Sequence, residues 1–105
     1  MREGKCLKET YIKAIKTYGA DMQQTVAIEE MSELIKELCK NKRGNANISH
    51  IAEEIADVQI MLEQLILIFD IKNVVDAYKI YKVDRLNKRL GSKKEGLKDD
   101  GKNEG

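Results

Sequence analysis

Two short acidic turns carry the residue types best suited to chemistry in this chain. They are Glu29-Glu30-Met31-Ser32-Glu33 and, after one loop, Glu53-Glu54-Ile55-Ala56-Asp57. Both lie in stretches that read as helix. On a helix Glu30 and Glu33 are three residues apart, and Glu29, Glu33 and Glu37 are spaced by four, which brings neighbouring Cβ atoms to within about 5–6 Å. Like charges at that spacing repel by a few tenths of a kcal/mol per pair. Glu is a good helix former, and Lys36, Lys40 and water can relieve the repulsion. The first turn alone therefore requires nothing more than a solvated face.

The second turn adds a geometric coincidence. The segment Asn41-Lys42-Arg43-Gly44-Asn45-Ala46-Asn47 holds asparagines and a glycine that tolerate left-handed backbone, so it connects two antiparallel helices. At ~1.5 Å rise per residue, Glu33 lies about 12 Å before the connection and Glu54 about 10 Å after it. Glu30 and Asp57 lie about 16 and 15 Å from it. Glu30, Glu33, Glu54 and Asp57 thus share a level in the hairpin. The row holding Glu54 and Asp57 continues into Met61 and Ile68, which argues against plain solvent exposure. Four such carboxylates need a counter-charge, and a hard divalent cation supplies one. Mg²⁺, with Mn²⁺ as a substitute, prefers oxygen ligands and keeps room for water or phosphate. A di-iron carboxylate site would want Glu-x-x-His pairs. The one histidine, His50, does not follow a Glu by three and reads as a first-turn helix residue without a metal role.

The elements that must position these residues are all helical. The chain has 105 residues, no proline, 42% hydrophobic and 35% charged residues, a balance that favours long helices with ion-rich surfaces. Apolar periodicity predicts four. The first spans about 7–18, with Leu7, Tyr11, Ala14, Ile15 and Tyr18 on one face and Gly19 as its C-terminal cap. The second spans about 22–40, is capped by Asp21, and carries the stripe Ala27, Met31, Leu34, Ile35 and Leu38. The third spans about 48–70, is capped by Asn47 or Ser49, and carries Ile51, Ile55, Val58, Leu62, Leu65 and Phe69. From Ile60 onward Met61, Leu67 and Ile68 make it apolar on other faces too, which implies a subunit interface. The fourth spans about 74–90, with Val75, Val83, Leu86 and Leu90 on one face. The expected organisation is an all-α four-helix protomer in residues 1–90, assembled into oligomeric bundles, followed by a charged tail over 91–105 that lacks the apolar groups to order itself.

Composition also narrows the functional classes. A formal net charge of +1 gives no global field toward nucleic acid or anionic membrane, so no stable nucleic-acid binding and no membrane association are expected. There is no signal-peptide core or uninterrupted spanning stretch, and Cys6 and Cys39 match no C-x-x-C spacing. A reducing, cytoplasmic setting with free thiols follows from that usage.

The two acidic motifs resemble the E-E-x-x-E and E-x-x-D signature of the MazG-like, all-α nucleoside triphosphate pyrophosphohydrolase superfamily. Here they read Glu29-Glu30-Met31-Ser32-Glu33 and Glu54-Ile55-Ala56-Asp57, with Tyr18-Gly19 and Gln23-Gln24 upstream also similar to phage and bacterial members. The resemblance covers roughly residues 18–90. It implies Mg²⁺-dependent cleavage of a nucleoside triphosphate between the α and β phosphates. It assigns Glu30, Glu33, Glu54 and Asp57 to the metal, Glu30 also to catalysis, and Glu29 to orienting water. The stretch Lys82-Val83-Asp84-Arg85-Leu86-Asn87 is similar to a later helix of the dimeric dUTPases, so Lys82, Arg85 and Asn87 become candidates for phosphate or sugar contact. Lys82 serves equally well as a salt-bridge partner, Gln24 as a polar helix residue or a base contact, and Tyr11, Tyr18, Tyr78 and Tyr81 as packing or stacking groups. The chain is shorter than the internally duplicated dimeric dUTPases, so the resemblance implies a homodimer or homotetramer. Phosphoribosyl-ATP pyrophosphatase chemistry and a non-catalytic helical interaction module are the alternatives.

Overall fold

The computed structural model describes residues 3–97, with side chains described for residues 7–91. All regular structure among the described residues is helical: α1 (Glu3–Tyr18), α2 (Ala20–Lys42), α3 (Ile48–Phe69) and α4 (Lys72–Leu97). The chain divides after Asp70 into two units, the first built from α1 to α3 and the second containing α4.

A single residue separates α1 from α2. Gly19 sits at φ 97°, its N–H donates to the Ile15 carbonyl (2.8 Å), and its own carbonyl accepts from the Gln23 N–H (3.0 Å). A positive φ costs glycine little, whereas a Cβ would strain it, so this residue ends one helix and begins the next. The predicted cap at Asp21 is therefore corrected. Asp21 lies inside the first turn of α2, where its charge opposes the positive end of the helix dipole.

At its far end α2 continues past Lys40 to Lys42 and closes through Gly44 at φ 90°, with the Asn45 N–H donating to the Lys40 carbonyl (2.9 Å). Asn47, one of the two predicted caps, begins α3 by accepting from the His50 N–H on its Oδ1 (3.1 Å). Asp70 ends α3 in the left-handed region at φ 54°.

The α2–α3 seam is more polar than the apolar stripes predict. Its buried residues are Gln23, Ala27 and Glu37 on α2 and Val58, Met61 and Gln64 on α3. Gln23 Nε2 donates to Gln64 Oε1 at 2.9 Å, an amide pair that satisfies part of its own hydrogen-bonding capacity out of water. Of the predicted α2 stripe, Ala27 is buried and Met31 and Leu34 are half-buried, but Ile35 and Leu38 are exposed. On α3, Val58 is buried and Ile51 and Leu65 half-buried, whereas Ile55, Leu62 and Phe69 are exposed. Both helices are rotated so that their polar edges meet and much of each apolar stripe faces outward. In α1, Tyr11, Ala14 and Ile15 are half-buried, while Leu7 and Tyr18 are exposed.

Taken by itself, α4 is longer than its periodicity predicts, beginning at Lys72 and running through Gly91 to Leu97 rather than ending at Leu90. Ion pairs at helical spacing, Lys72 to Asp76 (2.7 Å) and Lys88 to Asp84 (3.2 Å), support its exposed surface. Val75 is half-buried, and Val83, Leu86 and Leu90 are exposed. The rest of the predicted tail, residues 98–105, lies outside the described residues.

Candidate metal centre

Glu30 projects from α2, and Glu54 and Asp57 from α3, into one group in which one carboxylate oxygen from each lies within 4.8 Å of the other two. The hairpin register explains the meeting. Gln23 lies one heptad, about two helical turns, before Glu30, and its partner Gln64 lies the same distance after Asp57, so the amide pair and the carboxylates belong to one antiparallel ladder. Each of the three acids is half-buried. One oxygen, Glu54 Oε1, is shielded from solvent, and no hydrogen-bond donor reaches it among the described residues. A shielded carboxylate oxygen without a donor is costly, and it is rare in folded proteins unless something else satisfies it.

The electrostatics agree with the geometry. Burial raises the Glu30 carboxyl above its ordinary value, and the charges of Asp57, Glu54, Glu33 and Glu29 push it further in the same direction. Glu54 is raised by burial first, then by Asp57, Glu33, Glu53 and Glu37. Every one of these influences disfavours the ionised form, and a bound cation would reverse them. The donor set is all oxygen, which suits Mg²⁺, Mn²⁺ or Ca²⁺ and not a soft metal. Oxygens on opposite sides of a Mg²⁺ shell are about 4.2 Å apart, so small side-chain adjustments bring this group into a coordinating arrangement.

The remaining predicted residues are placed differently. Glu33 lies outside the three-residue group, half-exposed, with its Oε1 3.8 Å from Lys36 Nζ, although its charge still acts on Glu30 and Glu54. Glu29 is exposed, and its backbone carbonyl accepts from Ser32 Oγ at 2.7 Å. Gln24 is half-buried. Lys82, Arg85 and Asn87 are exposed on α4, where the Arg85 guanidinium stands 5.7 Å from the Tyr81 ring centroid. His50 is exposed in the first turn of α3 and serves the Asn47 cap through its backbone. Cys39 is a free, exposed thiol.

Two features at the seam escape the motif spacing. Gln23, beside the predicted Gln24, is the buried member of that pair of glutamines, and Glu37 is buried against Lys40 Nζ at 3.4 Å. The seven-residue steps from Gln23 to Glu30 to Glu37 were the available signal.

No protein-family model, curated protein or solved structure matches this chain. Any assignment of function therefore rests on the residues themselves. No helix among the described residues is long and apolar enough to cross a membrane.

Proposed function

We propose that the chain is a Mg²⁺-dependent nucleotide pyrophosphohydrolase of the MazG-like kind, which adds water across the α–β phosphoanhydride of a nucleoside triphosphate to give the monophosphate and pyrophosphate. The observation that supports it most directly is the convergence of Glu30, Glu54 and Asp57, with Glu54 Oε1 shielded and without a donor, at the positions of the two acidic motifs. A divalent cation held there would supply the positive charge that lets a polyanionic substrate approach carboxylates and that activates water for attack. In this reading Glu30, Glu54 and Asp57 hold the cation. Glu33, a rotamer change away from Lys36, completes the set, and Glu29 orients water from the exposed rim. Lys82, Arg85, Asn87 and Gln24 are the candidates for contact with phosphate, sugar or base. Assembly as a homodimer or homotetramer in the cytoplasm, without stable binding to nucleic acid, completes the proposal.

The breadth of exposed apolar surface, including Ile28, Ile55 and Ile80, also fits a non-catalytic helical interaction module stabilised by a metal. Incubation of the full chain with each NTP and dNTP, and with phosphoribosyl-ATP, in Mg²⁺ separates these readings. Pyrophosphate and monophosphate should appear with at least one nucleotide and disappear in Glu54→Gln and Asp57→Asn. Release that survives both substitutions would remove the assigned site, and no release from any substrate would leave the module.

A further inference from the structure

The α2–α3 hairpin carries all of its lysines and arginines at one end. No Lys or Arg occurs between Lys16 and Lys36 and none occurs in α3, whereas Lys36, Lys40, Lys42 and Arg43 crowd the last turns of α2 and its C-cap. Within the hairpin, the acidic group therefore has cations on its loop side only. Two of them lean back toward it. Helical side chains tilt toward the helix N-terminus, and each lysine meets a glutamate three residues earlier: Lys36 Nζ is 3.8 Å from Glu33 Oε1, and Lys40 Nζ is 3.4 Å from Glu37 Oε2. At about 100° per residue, Glu33, Lys40 and Lys36 fall about 60°, 80° and 120° to the same side of Glu30. The Gln23–Gln64 register sets Glu33 level with Glu54. At ~1.5 Å rise per residue, an ammonium drawn back to Glu37 stands about 6 Å beyond that level. Lys36 and Lys40 are four residues apart, so their like charges repel unless an anion lies between them.

Glu37 makes this a built arrangement. Its side chain is only 10% exposed, and a carboxylate that deep in a seam is more costly than an apolar group of similar volume. What it contributes is a fixed Lys40. That side chain is 40% exposed, and Glu37 takes one of the three ammonium donors, leaving two for a ligand. The helix dipole does not require Lys40 there, because Lys42 also stands in the last turn and Arg43 is the C-cap.

We propose that Lys36 and Lys40 form the pyrophosphate subsite of this centre, so that a triphosphate runs from the acidic group toward the closed end of the hairpin with its nucleoside on the Gln24 side. The proposal rests on the hydrolase reading above. A polyanion laid across the acidic group meets positive charge in that one direction along the hairpin, while the neutral base and sugar meet the uncharged Gln23 and Gln24 in the other. Hydrolysis forms a bond from the water oxygen to phosphorus, breaks the bridging P–O bond, and releases monophosphate, pyrophosphate and a proton. The negative charge on the pyrophosphate rises in that step. Ammonium groups held beside it therefore act more strongly on the separating products than on the bound triphosphate. Glu37 touches no phosphate in this arrangement and is a positioning residue that works through Lys40.

Product inhibition of the full chain, at fixed free Mg²⁺, separates the two halves of the site. Inhibition constants for inorganic pyrophosphate and for the nucleoside monophosphate are compared in the native chain, Lys36→Gln, Lys40→Gln and, as a charge control on α1, Lys13→Gln. Each of the first two variants should weaken pyrophosphate inhibition at least about tenfold, the worth of a charge-assisted hydrogen bond, and monophosphate inhibition less than about twofold. Lys40→Arg should retain native inhibition by both products. Because Lys40→Gln leaves Glu37 buried without its cation, the double variant Glu37→Gln/Lys40→Gln, which removes both charges, should show the same selective loss. Equal changes in the two constants, no change in either, or the same loss in Lys13→Gln would overturn the subsite. Gln24→Ala should weaken monophosphate inhibition more than pyrophosphate inhibition, and the opposite pattern would overturn the assigned direction. A native chain that hydrolyses no nucleotide removes the hydrolase reading and this subsite with it, whereas hydrolysis whose pyrophosphate inhibition ignores both lysines removes the subsite alone.

Discussion

Glu54 holds a shielded oxygen without a donor next to two more acids, so in the metal-free protein its charge opposes the fold. The sign of the pH dependence follows. The folded-state values of Glu30 and Glu54 lie above 4.5, so between about pH 4.5 and those raised values the folded chain holds more protons than the unfolded chain. Stability therefore falls as pH rises through that window, and the penalty is fully developed above it. Asp76 has the opposite sign, because its hydrogen bond with Lys72 lowers its value below 3.8. Its contribution is present at neutral pH and is lost as pH falls through the lowered value. Urea midpoints of the metal-free chain and of Glu54→Gln, followed from pH 4.5 to 7.5, measure the difference. The variant should lose less stability with rising pH and overtake the native chain near neutrality; parallel curves would show that the Glu54 charge is not under strain. With metal the order reverses. Glu54→Gln or Asp57→Asn should weaken Mg²⁺ or Mn²⁺ binding by at least about tenfold, as read by calorimetry.

At the level of the helices, the buried amide pair sets the register that brings the acids together. Removing one partner leaves the other unsatisfied, so Gln23→Ala or Gln64→Ala should each cost about 1–3 kcal/mol in urea denaturation. Replacing both by Leu should cost much less than the two single changes combined. Additive costs would mean that the Gln23–Gln64 bond does not couple the helices. Losing the Asn47 cap through Asn47→Ala should cost about 1 kcal/mol without changing metal affinity. The levels of Glu30, Glu54 and Asp57 were legible in the sequence because the rise of a helix does not depend on which residues form it. The rotation of the helices was not. An apolar stripe reports which face avoids water, and both an intrachain seam and an interface with another chain satisfy that demand. Ile35, Leu38, Ile55 and Leu62 lie outside the intrachain seam, while Gln23 and Gln64 reveal that seam only once they are seen to pair. Gly19 is legible in the sequence as the end of α1 but not as the N-cap of α2, for a related reason. Asp21 has the chemistry of a cap, but a glycine with positive φ can end one helix and begin the next with no side chain.

For the whole molecule, fold and site are linked through the same two helices. A chain whose buried apolar residues among those described are Ala27, Val58 and Met61 has little stability to spare, so a cation that bridges α2 and α3 should register as global stabilisation. Free Mg²⁺ at a hundred times its dissociation constant adds about 2.7 kcal/mol. In a domain of this size each kcal/mol moves the melting temperature by about 4–8 °C. Calorimetric scans at fixed ionic strength, with Mg²⁺ replacing Na⁺, should therefore show a melting temperature that rises and keeps rising with the logarithm of free metal once the site is filled. The native chain should respond and Glu54→Gln should not, because that substitution removes the carboxylate whose oxygen is shielded and without a donor among the described residues. Protein concentration supplies an internal control. Any association between chains would raise the melting temperature in both proteins alike, so a metal-dependent part confined to the native chain would belong to its acids. A rise of equal size in Glu54→Gln would assign the effect to general screening and would separate the acidic group from any role in holding the hairpin together.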